Sequence, residues 1–197
     1  MTLARKGSLL GAILITGSTL AGCSEASPGD PRPTNANSSS TATTEPSGKP
    51  TSERPREIKL NGQDPCSLIP QADWAKFELE KPGKPGVNPA SKEPLCGYNS
   101  GGLATFDLTL NSKEGIEVWD EGKRSIHIEG TEAILGFPAI HFTQSSPKSA
   151  CSVAVDVADG QTLDILVIVS SREALPRKCE IAREIAESAM KTLLGGN

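Results

Sequence analysis

Alternating apolar and polar side chains mark one stretch of the chain as a half-buried strand. Ala104, Phe106, Leu108 and Leu110 fall on one face, and Thr105, Asp107 and Thr109 on the other. That period predicts packing on the first face and water on the second. Just before it, Cys96 to Asn99 reads as extended, with Ser100-Gly101-Gly102 as the hairpin turn between them. Ala139 to Gln144 is a further strand, and Cys151 to Val157 with Thr162 to Ser170 forms a second hairpin around Ala158-Asp159-Gly160-Gln161. The run Leu163-Asp164-Ile165-Leu166-Val167-Ile168-Val169 is apolar on nearly both faces, which predicts a central strand covered on each side.

Helical periodicity comes late. From Arg177 to Leu194, Ala182, Ile185, Ala186, Ala189 and Leu193 form one apolar stripe, with Pro176 before it and Gly195-Gly196 after. Glu187 and Lys191 stand at i, i+4, where they can pair. A short helix is expected from Asp64-Pro65-Cys66-Ser67-Leu68-Ile69-Pro70 onward through Ala72, Trp74, Ala75 and Phe77, with Pro70 suited to a first helical position. Lys81 to Pro94, holding Pro82, Gly83, Pro85, Gly86, Pro89 and Pro94, reads as a loop. Lys113 to Gly130 reads as a charged stretch with an amphipathic turn or helix at Ile116, Val118 and Trp119. The elements add up to an α+β domain: an antiparallel sheet of about five strands packed by an N-terminal short helix and a C-terminal helix.

The first residues follow another pattern. Arg5 and Lys6 precede an apolar run from Leu9 to Leu14, continued by Ile15, and then Leu20-Ala21-Gly22-Cys23. This is a charged region, an apolar region and a small-residue cleavage site, and the run is shorter than the roughly 20 residues a spanning helix needs. Leu20 to Cys23 resembles the lipobox cut by the lipoprotein signal peptidase. The resemblance implies cleavage between Gly22 and Cys23, a diacylglyceryl group on the Cys23 thiol and an amine open to acylation. Two or three chains, at about 0.8 kcal/mol per buried methylene, anchor a protein far better than one. Residues 1–22 are thus expected to be a lipoprotein signal peptide, and the mature protein to sit on the outer face of the cell membrane, held through Cys23.

Composition separates the rest into two parts. From Ser24 to about Asn61 the chain is rich in Ser, Thr, Pro, Asn and Gly, with too little apolar surface to offset ordering entropy. Residues 23–61 are expected to be the lipidated cysteine and a disordered tether, with a reach of roughly 30–37 Å. Residues 62–197 have the length of one domain with a single core. Losing Arg5 and Lys6 takes the formal charge from −4 to −6, which argues against nucleic acid as a partner. Aromatic residues are only 4%, too few to supply extended stacking platforms for sugars or bases.

Besides Cys23 the chain has four cysteines, Cys66, Cys96, Cys151 and Cys179, and an even count in an oxidising compartment favours two disulfides. Three connectivities are possible. With the second hairpin turning near Asp159 and Gly160, Cys151 falls opposite about Ile168 or Val169, where the chain leaves for the helix that holds Cys179 in its first turn. Cys151 with Cys179 therefore ties helix to hairpin and leaves Cys66 with Cys96, each closing a loop of about 30 residues worth on the order of 3–4 kcal/mol. A zinc site is the rival, and the chain has no Cys-x-x-Cys.

Asp64-Pro65-Cys66-Ser67-Leu68-Ile69, Cys96-Gly97-Tyr98, Leu135-Gly136-Phe137-Pro138-Ala139, Cys151-Ser152-Val153-Ala154-Val155 and the late helix opened by Cys179 together resemble a family of uncharacterised actinobacterial lipoproteins, a domain of unknown function. The resemblance implies a small, exported, lipid-anchored α+β domain without an assigned reaction. The layout is also similar to extracellular sensor domains of mycobacterial-type receptor kinases.

Candidate chemistry is sparse. His127 and His141 could join Ser125, Ser145 or Asp156 in a Ser-His-Asp arrangement, but no nucleophile turn such as Gly-x-Ser-x-Gly accompanies them. Glu114, Glu117, Asp120 and Glu121 could gather a cation, without the spacing of a calcium loop. Trp74 reads as core, Trp119 as core or cavity wall, and the face of Thr105, Asp107 and Thr109 as one candidate surface. No catalytic residue, cofactor or metal is expected. The reading is a binding or sensing module for an envelope protein or a small ligand; a lipid-handling domain with an apolar ligand comes second, and a hydrolase third.

Overall fold

Seven strands and one α-helix follow one another in the computed structural model, which describes residues 53–119, 124 and 126–195. The strands are β1 (Lys84–Val87), β2 (Pro94–Ser100), β3 (Ala104–Asn111), β4 (Ile126–Ile134), β5 (Phe137–Gln144), β6 (Ala150–Ala158) and β7 (Gln161–Val169), and the helix is α1 (Lys178–Gly195). Every described residue belongs to one compact unit within residues 47–197.

The strands form one antiparallel sheet in the order β1-β2-β3-β7-β6-β5-β4. The apolar strand β7 lies in its interior, between β3 and β6. One face carries Phe106, Leu108, Val153, Leu163, Ile165 and Val167, all buried. Over β6 and β7 on that face lies α1, burying Ile181, Ala182, Ile185, Ala186, Ala189 and Met190; its alanines allow close approach to the sheet. Glu187 pairs with Arg183 one turn earlier. Two disulfides pin the periphery, Cys66–Cys96 to β2 and Cys151–Cys179 to the start of α1, as the hairpin argument expected.

The expectation of about five strands and an N-terminal helix is corrected on three counts. First, β1 arises inside the stretch read as a loop. It is an edge strand pairing only β2, so the missing N–H of Pro85 need not be satisfied, and all four of its residues are exposed, leaving no apolar period to read. Second, β4 arises inside the mixed stretch. A bulge between Ile128 and Gly130 shifts its register, so Ile126 and Ile128 share a face with Phe142 while Glu132 and Ile134 turn to the other, and no single alternation runs through the strand. Third, the segment from Pro65 to Phe77 forms 3-10 helices at Pro65–Ser67 and Gln71–Asp73 followed by turns and no α-helix, with i→i−3 bonds from Trp74 N to Gln71 O and Lys76 N to Asp73 O. Pro70 is extended there and steers Ile69 away from helix, and Glu78 ends the turns at φ +53°.

Two smaller shifts follow. A second bulge, between Asp156 and Ala158, places Cys151 opposite Val167, slightly short of the expected Ile168 or Val169. The packed region also begins ahead of Gly62. Ile58 and Leu60 belong to the core, Ile58 N–H donates to Val157 O at 2.8 Å, and Leu60 N–H donates to Gln161 Oε1 at 2.8 Å. Two isolated apolar residues in a polar stretch carry too little pattern to reveal this.

Candidate functional site

The sheet face away from α1 is built by register. Thr109 on β3, Asp164 on β7 and Ala154 on β6 stand in one row, and Asp107, Leu166, Ser152 and Phe142 stand in the next. Two loops close over these rows. Between β1 and β2, the Asn88 side chain accepts from Ala90 N–H and Ser91 N–H and donates to Thr109 Oγ1 at 3.2 Å. After β3, Asn111 Oδ1 accepts from Lys113 N–H and Glu114 N–H, turning the chain sharply. Buried Glu93 fastens one loop to the other, receiving Ser112 Oγ at 2.9 Å and pairing with Lys113 at 2.6 Å. Lys113 and the Ser112 hydroxyl hold that carboxyl below its ordinary range.

Between the loops and the sheet is a cavity of about 480 Å³. Trp119 forms one wall. One side of its indole stacks on Phe142 with ring centroids 4.3 Å apart, and the Arg124 guanidinium lies 4.3 Å from the indole centroid. Arg124 also pairs with Glu114 at 2.5 Å. Asp107 leans over β2, where a Cβ on Gly97 would meet its Oδ1 at 3.0 Å; burial raises its pKa.

Asp164 is the central group. Burial pushes its carboxyl up to about 7, although hydrogen bonds with Thr162 and Asn111 and the charge of Arg124 pull the other way. Among the described residues its Oδ1 has no hydrogen-bond partner, and neither has the indole N–H of Trp119, though both are buried. Both residues line the cavity, while these two atoms themselves are turned away from its open space.

A second depression of about 570 Å³ is flanked by exposed Glu80, Lys81 and Lys84 together with Tyr98 and Thr105. Water satisfies its charged rim, so it carries no comparable demand for a ligand.

The residues singled out in the sequence separate in space. His141 bonds to Glu132 on the α1 side of the sheet, and His127 is exposed on β4 opposite Thr143. Asp156 is held by Arg54, and Ser145 is exposed. Ser125, Asp120, Glu121, Gly22 and Cys23 lie outside the described residues. Among the described residues no group of three or more His, Cys, Asp or Glu side chains could hold a metal ion, and Glu114 is engaged by Arg124. Trp74 packs against the core, whereas Trp119 lines the cavity. The candidate surface is graded: Thr105 is exposed, Asp107 half-buried and Thr109 buried beneath Asn88.

Asp164, Asn111, Phe142 and Arg124 escaped the sequence reading. For Asp164 a signal was present: an acid in the middle of an otherwise apolar interior strand is costly unless something uses it.

A family model described as "Protein of unknown function (DUF3558)" matches residues 18–192. No curated protein and no solved structure matches the chain.

Proposed function

We propose that this chain, which belongs to the DUF3558 family of proteins of unknown function, is a lipid-anchored extracytoplasmic binding module whose ligand site is the cavity on the helix-free face of the sheet. The cavity carries this reading: it lies between two fastened loops and the sheet and is lined by apolar side chains together with a few polar ones, among them Asp107, Asp164, Ser152 and Gln144. Its volume falls in the range of small-molecule sites, roughly 300–1,000 Å³. The supporting loops are stapled by Glu93, Asn88 and Asn111, so little ordering cost remains for a ligand to meet.

The rest of the reading draws on the N-terminus. The Leu20-Ala21-Gly22-Cys23 sequence supports cleavage and lipidation at Cys23, and two disulfides suit an oxidising compartment. No helix among the described residues is long and apolar enough to cross a membrane. A lipid-handling role is the second reading, favoured by the apolar lining from Leu95, Ile126 and Leu166.

The test uses the exported, disulfide-bonded full chain. Native mass spectrometry identifies small molecules that co-purify, and the Trp119 indole N–H resonance is followed as a small-molecule extract of the cell envelope is added. A co-purifying compound, or a saturable shift at Trp119, supports the binding reading. A stoichiometric acyl ligand promotes the lipid reading. Turnover of ester or peptide substrates that disappears in His127→Ala or His141→Ala overturns both.

A further inference from the structure

We infer that the cavity on the helix-free face takes an organic ammonium ion with an apolar body, its charge set against the half-buried Asp107 carboxyl and its body lying along Leu166 toward Phe142. This rests on the binding reading above and names the ligand class of the same site.

The sheet register lays out the two ends. Asp107, Leu166, Ser152 and Phe142 stand in one row across β3, β7, β6 and β5, and all four line the cavity. With strands about 4.8 Å apart, the row runs about 14 Å from the strand of the acid to that of the aromatic ring. Ser152 is the smallest side chain of the four and leaves room between Leu166 and Phe142. Leu95, Ile126 and Trp119 add apolar walls. An elongated body laid along this row meets apolar groups for most of its length and an acid at one end.

Asp107 is a carboxyl without a counter-ion. It is half-buried, so it still meets the open space of the cavity. Burial raises its pKa, with no hydrogen bond or neighbouring charge pulling it back. Lys84, in the same row on β1, lines the neighbouring depression instead. The cations beside the closing loops are taken, Arg124 by Glu114 and Lys113 by Glu93. Asp164 is not the counterpart, since its Oδ1 is turned away from the open space and its carboxyl is bonded by Thr162 and Asn111. An ammonium placed on Asp107 supplies the missing partner and favours the ionised carboxylate.

Other ligand classes fit this lining less well. A carboxylate or phosphate meets Asp107 as a like charge and finds Arg124 and Lys113 already paired. A calcium ion wants about six to eight oxygen ligands, whereas the row offers one carboxylate among apolar neighbours. An uncharged acyl chain fills the apolar lining but strips water from Asp107 and gives nothing back. A hydroxyl bonds to Asp107, yet a hydrogen bond between two charged groups is roughly twice as strong.

The experiment titrates the full-length exported protein with hexylammonium and phenethylammonium chloride, alongside methylammonium chloride, hexanol, sodium hexanoate, N-acetylglucosamine and inorganic phosphate. The readouts are calorimetry and the methyl resonances of Leu95 and Leu166. Hexylammonium or phenethylammonium is expected to bind saturably, to move both sets of methyl resonances, and to bind at least about tenfold more tightly than methylammonium, which lacks the body, or hexanol, which lacks the charge. Asp107→Asn is expected to weaken ammonium binding about tenfold or more and to leave hexanol binding unchanged, with the amide spectrum of the fold retained. Glu80→Gln, in the neighbouring depression, is expected to leave every affinity unchanged. Hexanol or hexanoate bound as tightly as hexylammonium, or saturable binding of N-acetylglucosamine or phosphate without ammonium binding, overturns the ammonium inference and leaves the binding reading standing. Ammonium binding that ignores Asp107→Asn, or that is lost in Glu80→Gln, overturns the site. A cavity silent to every probe overturns the inference, and if nothing co-purifies with the exported protein either, the binding reading falls with it.

Discussion

Arg54 Nη1 lies 2.5 Å from Asp156 Oδ1, joining residues 102 positions apart. The same guanidinium reaches Asp159 Oδ1 at 2.5 Å, so one side chain from a polar N-terminal stretch straddles the β6–β7 hairpin. Four residues later Ile58 enters the core. The expected consequence is that protein beginning at residue 62 is markedly less stable than protein beginning at residue 47. Each of Ile58 and Leu60 contributes up to about 1.5–3 kcal/mol by burial. Arg54→Ala alone is expected to cost about 1–3 kcal/mol. Urea denaturation of the three proteins measures both effects, and equal midpoints would show that the segment merely rests on the domain.

Stability should fall as pH rises from about 4 to about 7. The Asp164 carboxyl titrates near 7 in the folded protein, because burial penalises its charge, and near 3.9 when unfolded. Between those values the folded state binds more protons than the unfolded state. Its contribution is therefore fully present below the lower value and lost as pH passes the upper one. Asp164→Asn keeps the shape and removes the titration, so the variant should lose most of this slope and melt higher than the parent at pH 8. Thermal melts across pH 4–8 check it.

Gly83 has no room for a side chain. A Cβ there would sit 2.4 Å from Cys96 Sγ and 2.6 Å from the Tyr98 ring. The sulfur is held by its bond to Cys66, and the tyrosine hydroxyl donates to Cys66 O at 3.2 Å. Neither neighbour can swing aside freely, so Gly83→Ala is expected to destabilise by about 1–3 kcal/mol, as overpacking does. A chemical melt under oxidising conditions reads it, and an unchanged midpoint would mean that this corner yields.

Anchoring should depend on one thiol. In the proposed lipoprotein Cys23 alone accepts the diacylglyceryl group at the lipobox. Cys23→Ser is expected to block lipidation and processing and to move the protein out of the detergent phase on fractionation. A mature Cys23→Ser protein still fully bound to membranes would end the lipoprotein proposal.

Much of the framework was legible from local pattern. The 2.0-residue period of Leu103 to Leu110, the apolar run from Leu163 to Val169 and the 3.6-residue stripe of the last helix each concern neighbours in sequence, and each is in place. The two cysteine pairings also followed from local geometry, since the hairpin delivers Cys151 close to where Cys179 begins its helix.

What escaped the sequence depends on contacts distant along the chain. As edge strands, β1 and β4 are held largely by ladder hydrogen bonds that any side chain permits, and the bulge in β4 erased its alternation. The cavity is the clearest case. Asp164, Trp119, Phe142 and Asn88 come from four separate segments, and only the register of β3, β7, β6 and β5 and the closing loops put them around one space. A strand pattern tells which face a side chain takes, while the burial that raises the Asp164 pKa and leaves its oxygen unmet is a property of everything packed around it. For that reason the sequence by itself determined most of the interior strands, the final helix and the sulfur pairings, and tertiary packing alone decided where the cavity proposed as the ligand site lies.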